Sequence, residues 1–341
     1  MTMIRDKSPR FPCAKARTTL LATLFGIATA ASVQAQDRTI AFFASISQNG
    51  LNQAMYQGMQ DRAAELGVRT TLYDGQFDPG LQYSQLEDVV AGNQADAAVV
   101  FPIDSVGIAG AAAEMAAAGV PIVAMMFPIG PDLDRLDPQV PGVVTTIGFS
   151  TVGTSVQQAE DVARHCAGID PCNVVVMVGR MVYPFDQLRF DAYASVLDQH
   201  PNIHLVATVE GNYDPSTALA VMEDVLQANQ DVHAVLSVAD QHLIGVEIAL
   251  EAAGIDVAPV YLSGAGGASI AIEAIREGRW DATVGGFPYT MGRFAVDAAL
   301  ASLSGEAVPP VYNMEDLAPL PTIIDRAILD AHPEFEAEWL Q

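Results

Sequence analysis

Two kinds of stretch alternate along the chain, one continuously apolar and one periodic. Residues 39–45 form a short apolar run rich in strand-forming residues, which predicts a buried strand. Turn-forming polar residues interrupt it at 47–50. From Leu51 to Leu66 apolar residues recur at helical spacing, and Gly67 suits the position just past a helix end. The pattern predicts a strand, a loop and a helix, and open α/β sheets bind ligands at such loops.

The same alternation continues to about residue 304. The later predicted strands are 68–73, 95–101, 121–127, 145–147, 173–178, 203–209, 234–238, 259–262 and 282–286. Helical patterns separate them, and the succession restarts near residue 152. Continuous apolar strands require cover on both faces of a parallel sheet. We therefore predict an α/β fold with two similar doubly wound parallel-sheet lobes.

The first 35 residues do not fit this alternation. Five basic residues precede an apolar run at 20–31, and residues 33–35 have the small-x-small pattern of a cleavage site. The run is shorter than the roughly 18–20 residues that cross a bilayer, which disfavours a membrane anchor. We interpret residues 1–35 as a signal peptide, and we expect the mature protein in the periplasm.

Charge narrows the choice of partners. The chain carries a net −25, and without the leader's five basic residues and one acid the remainder carries −29. Such a surface repels phosphate backbones and anionic lipids, so we expect no nucleic-acid or membrane-surface partner. Solubility is the simplest interpretation of the acidic surface.

Only two cysteines, Cys166 and Cys172, remain after the leader. Two thiols this close in an oxidising compartment predict a disulfide between a helix end and the next strand. A metal site would need further ligands, and the neighbouring His165 alone does not complete one. We therefore predict no metal and no cofactor.

Several short motifs, taken in order, carry a family resemblance. They are SQN at 47–49, MYQGM at 55–59, DP at 78–79, AAVVFPID at 97–104, AGVPIV at 118–123, RFDAY at 189–193, ADQ at 239–241 and IEAIREGRWDAT at 272–283. The chain resembles the periplasmic sugar-binding proteins of the ribose- and galactose-binding type, which are type I solute-binding proteins of ABC importers.

The resemblance implies two lobes joined by a three-stranded hinge that closes over a ligand. The implied N-terminal lobe is 36–148 with 287–313, and the C-terminal lobe is 149–286 with 314–341. The implied crossovers lie near 148–151, 285–288 and 312–316. A non-enzymatic monomer that delivers a small ligand to a membrane permease is the expected function.

The resemblance also implies ligand-binding positions. Asn49 lies at the family's first-loop asparagine, Arg189 at its ligand-binding arginine, and Asp240 at its aspartate. Leu51 and Asn52 stand where ribose receptors have two stacking phenylalanines. The full candidate set is Asn49, Leu51, Asn52, Met126, Phe127, Tyr183, Phe185, Arg189, Tyr213, Asp240, Gly266 and Phe287.

The chain departs from the family at several polar positions. Met126 and Phe127 replace an Asp-Arg pair, Ala239 replaces an asparagine, Gly266 an aspartate and Gly286 a hinge amide. Each unpaired buried hydroxyl would cost roughly 1–3 kcal/mol. The departures predict a ligand that is flatter and less hydroxylated than an ordinary aldopyranose.

Other interpretations of these residues remain open. Arg189 could be a helix-surface arginine, Asn49 a turn residue, and Asp240 a cap for the following helix. The same fold could serve a sensor kinase or chemoreceptor. The glycine-rich segment at 264–269 resembles a dinucleotide turn, but it lacks the acid at the expected distance.

Overall fold

A computed structural model describes residues 38–340, and they form two six-stranded sheets. The predicted signal peptide lies outside the described residues. The first sheet contains β1 (Thr39–Ala44), β2 (Arg69–Asp74), β3 (Ala97–Val100), β4 (Ile122–Met126), β5 (Val143–Gly148) and β11 (Val311–Asn313). The second contains β6 (Cys172–Val178), β7 (Ile203–Glu210), β8 (Ala234–Ser237), β9 (Tyr261–Ala265), β10 (Ala282–Val284) and β12 (Ile323–Asp325).

Helices connect the strands and cover both faces of each sheet. They are α1 (Gly50–Leu66), α2 (Pro79–Gly92), α3 (Ala109–Ala117), α4 (Thr151–His165), α5 (Pro184–Leu197), α6 (Pro215–Ala228), α7 (Asp240–Ala252), α8 (Ser269–Glu277), α9 (Pro288–Leu303), α10 (Met314–Leu317) and α11 (Arg326–Ala331). In the described part of the chain, no helix has the length and apolar character needed to span a bilayer.

The strand orders confirm the predicted fold class. The first sheet runs β11-β5-β4-β3-β1-β2 and the second β12-β10-β9-β8-β6-β7, so each repeats the same doubly wound order. All pairings are parallel except that of β10 with β12. We name the sheet of β1 with its helices the N-terminal lobe and the sheet of β6 with its helices the C-terminal lobe. The chain passes between them after β5, after β10 and after β11.

Local chemistry sets the start and end of α1. The side chain of Asn49 accepts a hydrogen bond from the backbone N–H of Asn52 at 2.9 Å, which caps the helix. Gly67 ends it with a φ of +73°, a left-handed conformation that glycine adopts without strain. Met55 and Met59 face the core with no exposed surface. The cap therefore places Asn49 at the carboxyl end of β1, where a ligand site is expected.

Helix α9 returns from the C-terminal lobe and packs closely against α1. A Cβ on Gly58 would lie 2.1 Å from the carbonyl oxygen of Tyr289, and a Cβ on Gly292 would lie 2.1 Å from that of Met55. Neither position tolerates a side chain without moving the two backbones apart. The two glycines thus allow a helix from late in the chain to complete the N-terminal lobe.

A disulfide joins the end of α4 to the start of β6. Cys166 and Cys172 are both fully buried, and their Cα atoms lie 5.6 Å apart. The closed loop is short, so the bond stabilises the fold by about 2–3 kcal/mol. No cluster of metal-ligating side chains occurs among residues 38–340.

Candidate functional site

A cleft lies between the lobes, at the carboxyl ends of the parallel strands of both sheets. It contains about 830 Å³ of space outside the protein atoms, part of which opens to solvent. The N-terminal lobe contributes Ser45, Asn49, Leu51, Asn52, Phe77, Phe101, Met126 and Phe127. The C-terminal lobe and the connections contribute Phe149, Thr154, Ser155, Gln158, Phe185, Arg189, Tyr193, Tyr213, Val238, Ala239, Gln241, Ala265, Gly266, Val284, Gly285, Gly286 and Trp339.

Aromatic side chains from the two lobes touch across this cleft. Phe127 stacks on Phe185 with ring centroids 4.5 Å apart and planes 11° from parallel. Phe77 stacks on both Tyr183 and Tyr213 at 5.9 Å, and the Tyr183 hydroxyl donates to the Phe77 carbonyl oxygen at 3.2 Å. These contacts require the lobes to be close together, so the structure represents the closed arrangement.

Arg189 is the one charged side chain in the described cleft lining. It is 8% exposed, and its guanidinium carbon lies 5.6 Å from the centre of the Phe127 ring. The nearest carboxylate oxygen, on Asp186, is 3.9 Å away. Its side chain makes no hydrogen bond with a described residue. Burying a charged donor without hydrogen bonds is costly, and here the long ion pair with Asp186 and the contact with the Phe127 ring offset only part of that cost.

Asp186 positions Tyr213 beside Arg189. One carboxylate oxygen accepts the Tyr213 hydroxyl at 2.6 Å, and the other accepts the backbone N–H of Arg180 at 2.7 Å. Burial raises the pKa of the Asp186 carboxyl, while the nearby Arg189 opposes that shift. At 3.9 Å, Asp186 pairs with the Arg189 charge but lies too far away to accept a hydrogen bond from it.

His242 fixes the backbone of the loop that carries Tyr213. Its Nε2 accepts the Tyr213 N–H at 2.9 Å, and its Nδ1 lies 2.9 Å from the Ser237 hydroxyl. Burial lowers the pKa of His242 to about 3, so the ring is neutral at physiological pH. Since Nε2 accepts a hydrogen, Nδ1 carries the proton and donates it to Ser237. Tyr213 itself has a left-handed φ of +54°, which this bond helps to hold.

Gln158 and Tyr193 form a closed polar network at the floor of the cleft. The Gln158 side-chain nitrogen donates to Ser237 O, Ser263 Oγ and Gly264 O, and its oxygen accepts the Tyr193 hydroxyl at 2.7 Å. Every polar atom of the amide is thus bonded within the protein. Gln158 supports the floor and has no free group for a ligand.

Two other amides do keep free groups. The Asn49 oxygen accepts from the N–H and the side chain of Asn52, but its own NH₂ has no bonded partner among the described residues. The side chain of Gln241, 9% exposed at the start of α7, makes no hydrogen bond with a described residue. Each lobe therefore contributes to the cleft lining one amide with an NH₂ group that has no partner among the described residues.

A family profile for the periplasmic binding protein domain matches residues 40–307. The chain belongs to that family. It is 25% identical over 287 residues to the ribose import binding protein of Haemophilus influenzae, covering 84% of this chain and 92% of that protein. It is 27% identical over 291 residues to a putative rhizopine-binding protein of Rhizobium meliloti, with 84% and 91% covered.

Solved periplasmic binding proteins share the fold. An ABC transporter solute-binding protein from Actinobacillus succinogenes with bound D-allose superimposes with a TM-score of 0.74 at 22% identity, covering 86% of this chain and 99% of that one. A Caulobacter myo-inositol-binding protein superimposes with a TM-score of 0.73 at 24% identity, with 87% and 95% covered. At these identities, the likeness concerns the fold.

Nine of the twelve predicted site residues line the cleft of this periplasmic binding protein. They are Asn49, Leu51, Asn52, Met126, Phe127, Phe185, Arg189, Tyr213 and Gly266. Tyr183 contacts Phe77 across the lobes instead, and Phe287 borders a smaller cavity beside the hinge. Met126 has a left-handed φ of +72°, unusual for a residue with a side chain and often found at functional sites.

The sequence left two roles open for Asp240, ligand contact and a cap for α7, and the structure places its side chain in neither. One of its oxygens accepts the Ala268 N–H at 2.9 Å and the other the Thr283 hydroxyl at 2.7 Å. The residue is fully buried, so it neither lines the cleft nor caps α7 with its side chain. Burial raises the pKa of this carboxyl to about 7. Asp240 instead holds the loop after β9 against β10.

Several cleft residues escaped the sequence analysis. Gln241 appeared only as part of a family motif, and the buried position of Gln158 in α4 has no local signal. Trp339 lies beyond residue 304, where the predicted alternation of strands and helices ends. These positions are brought together by long-range packing, which a single sequence does not encode locally.

Proposed function

We propose that this protein captures a small solute in the periplasm and delivers it to the permease of an ABC importer. The observation that carries the proposal is the interlobe cleft, in which the buried guanidinium of Arg189 has no hydrogen-bonding partner within residues 38–340. Relatives that match this chain over most of their own length are named ribose import binding proteins. The predicted signal peptide supports export, and a capture function involves no bond making or breaking.

Hinge closure supplies the mechanism. A ligand that bonds to Arg189 and Gln241 of the C-terminal lobe and Asn49 of the N-terminal lobe interacts fully only when the lobes are closed. It shifts the population toward the closed form by the difference between its affinities for the two forms. The stacked pairs across the cleft, such as Phe127 on Phe185, add stability to the same form. A permease that recognises the closed form then receives loaded protein.

The cleft favours a ligand with few hydroxyl groups. In the described lining the charged group is a cation and no aspartate or glutamate is present. Each hydroxyl of a sugar donates a hydrogen, and a buried donor without an acceptor costs about 1–3 kcal/mol. The aromatic walls suit the apolar face of a ring. We propose that the solute is less hydroxylated than a pentose or hexose.

A thermal-shift screen of the mature protein across sugars, polyols, nucleosides, aromatic acids and amines tests the capture function. A ligand at a hundredfold excess over its dissociation constant stabilises the protein by about 2.7 kcal/mol. Solution scattering should show a more compact particle with that ligand than without it. Deleting the gene should abolish uptake of the same compound.

The Arg189→Ala variant should lose the thermal shift, because the charge-assisted bonds disappear. Arg164→Ala is the matched control, since Arg164 is a largely exposed arginine on α4 of the same lobe. It should keep the full shift. If Arg189→Ala also keeps the thermal shift, the assignment of Arg189 as a ligand-binding residue is wrong. If no solute changes either melting point or shape, the capture function is wrong.

A further inference from the structure

Hydrogen-bond donors outnumber acceptors among the charged and amide groups of the cleft. Among the described residues, the donors without a hydrogen-bonding partner are the guanidinium of Arg189 and the NH₂ groups of Asn49 and Gln241. The Gln158 oxygen accepts the Tyr193 hydroxyl, which leaves two side-chain acceptors, Gln241 Oε1 and Asn52 Oδ1, the latter with only a 3.5 Å contact to Ser45. The donor hydrogens of the first three groups still outnumber these two acceptors. A complementary ligand therefore brings acceptors, and a carboxylate brings two oxygens that fit a guanidinium.

Trp339 forms part of the cleft wall on the side of the C-terminal lobe. Its ring is 5% exposed, and its indole N–H donates to the Gly266 carbonyl oxygen at 2.6 Å. The Trp339 carbonyl oxygen accepts the Ser269 N–H at 2.9 Å at the start of α8. The ring thus has a fixed position, with its single polar atom bonded away from any ligand.

Neighbouring residues tie this segment to both lobes. The Leu340 carbonyl oxygen accepts the Ser269 hydroxyl at 3.0 Å, while a Glu338 oxygen accepts the Thr290 N–H at 2.9 Å. Ser269 belongs to α8 of the C-terminal lobe and Thr290 to α9 of the N-terminal lobe. Residues 338–340 therefore bridge the lobes beside the cleft and hold the indole in place when the lobes are closed.

Gly266 provides the space that the indole occupies. A Cβ at this position would lie 2.6 Å from Trp339 Cζ2, and the backbone φ of +130° also favours glycine. The family has an aspartate at this position, according to the resemblance found in the sequence. Here a flat apolar surface takes the place of a side-chain acceptor, which changes the chemistry of this wall.

We propose that Trp339 is a ligand-binding residue, and that the ligand is a small carboxylic acid with a flat, unsaturated face. The carboxylate binds to Arg189, and the flat face lies against the indole of Trp339. This assignment rests on the capture function proposed above. A carboxylic acid of this kind accepts hydrogen bonds from the free donors, and its flat face covers the aromatic walls of the cleft.

The chain contains two tryptophans, which allows a direct fluorescence test. Trp280 is buried outside the cleft, with its indole N–H bonded to Glu247. The Trp280→Phe variant leaves Trp339 as the single reporter, and Trp339→Phe leaves Trp280. The probes are benzoate, 4-hydroxybenzoate and phenylacetate, with benzyl alcohol, cyclohexanecarboxylate, ribose and myo-inositol as comparisons.

We expect at least one aromatic acid to change the emission of Trp280→Phe saturably and to leave that of Trp339→Phe unchanged. Calorimetry should show that Trp339→Ala weakens binding of that acid roughly tenfold, the size of a lost stacking contact. Trp339→Phe should recover most of the affinity. An unliganded melting point of Trp339→Phe close to that of the wild type shows that the fold is intact.

Three results overturn the assignment. One is the absence of binding by every aromatic acid. Another is an acid that binds without changing the Trp339 signal, and the third is equal affinity for the acid and for benzyl alcohol. Tight binding of ribose or myo-inositol with no acid binding would reject this ligand class while supporting the capture function. A protein that binds none of the screened solutes would contradict both proposals.

Discussion

The two lobes have the same strand order but bring different chemistry to the cleft. The N-terminal lobe contributes aromatic, aliphatic and uncharged polar groups, such as Phe77, Phe127 and Asn49. The C-terminal lobe contributes Arg189 together with the buried groups that position its neighbours, Asp186 and His242. Under the proposed capture function, the charged contact to the ligand comes from the C-terminal lobe, while the N-terminal lobe supplies apolar cover and the amide of Asn49.

The lobes also differ in how they are completed. The N-terminal lobe depends on α9, which arrives from the C-terminal lobe and packs on α1 through Gly58 and Gly292. The C-terminal lobe receives β12 as an antiparallel edge strand and has the disulfide near its start. The N-terminal lobe should therefore be easier to disrupt by one substitution than the C-terminal lobe.

The largest expected effect comes from Gly292→Val. The new side chain would collide with the backbone of α1, so we expect the free energy of unfolding to fall by about 3 kcal/mol or more. Chemical denaturation measures the loss. Ala301→Val, later on the same helix and half-buried, is the control and should cost much less. Equal losses for the two variants would show that the close contact of α9 with α1 is unimportant.

A smaller effect concerns acid stability and belongs to the C-terminal lobe. The pKa of His242 is about 3 in the folded protein and near 6.5 when unfolded. The unfolded chain therefore takes up a proton first as the pH falls. We therefore expect the titration of His242 to lower the free energy of unfolding by about 2 kcal/mol as the pH falls from 7 to 5.

His242→Gln removes the titration and should flatten the stability profile over that interval. The comparison of slopes remains valid even if the variant is less stable at every pH. Denaturation series at pH 7, 6 and 5 supply the slopes. Identical slopes for the variant and the wild type would mean that His242 does not stay neutral in the fold.

The smallest effect has the opposite sign and comes from Asp240. Its pKa is about 7 in the folded state and near 3.9 when unfolded, so the folded state binds the proton more tightly. Its stabilising contribution is complete at low pH and declines as the pH rises through 7. We expect a loss of about 1 kcal/mol between pH 6 and pH 8.

Asp240→Asn should lack this decline, because an amide can still accept from Ala268 and donate to Thr283 without titrating. The variant should therefore gain stability relative to the wild type as the pH rises from 6 to 8. Thermal unfolding at the two pH values measures the gain. A constant difference between the two proteins would place the pKa of Asp240 outside this interval.

The sequence was informative where periodicity and local chemistry decide structure. Apolar runs predicted five strands of each sheet, and Gly67 correctly marked the end of α1. The turn interpretation of Asn49 was close to its observed place, which is the cap of the same helix. Arg189 was found because its position matched a family motif, and it lies in the cleft. The first-loop residues Asn49 and Leu51 line the same cleft, because ligand sites form at the carboxyl ends of parallel strands.

The sequence was uninformative where distant segments meet. The short strands β11 and β12 have three residues each, too few for a periodic pattern. The contacts of Asp240 with Ala268 and Thr283 depend on how two loops pack, and so does the meeting of Trp339 with Gly266. The local propensities of the residues do not indicate such long-range contacts.

The packing of α9 on α1 has a consequence for biosynthesis. A nascent chain that has reached residue 148 lacks α9, which packs over Met55 and Met59. That helix follows only after five of the six strands of the second sheet have been translated. The first sheet must therefore wait, with its apolar helix face uncovered, while more than a hundred residues are added. For the export proposed above, such delayed completion of the first sheet favours passage of an unfolded chain.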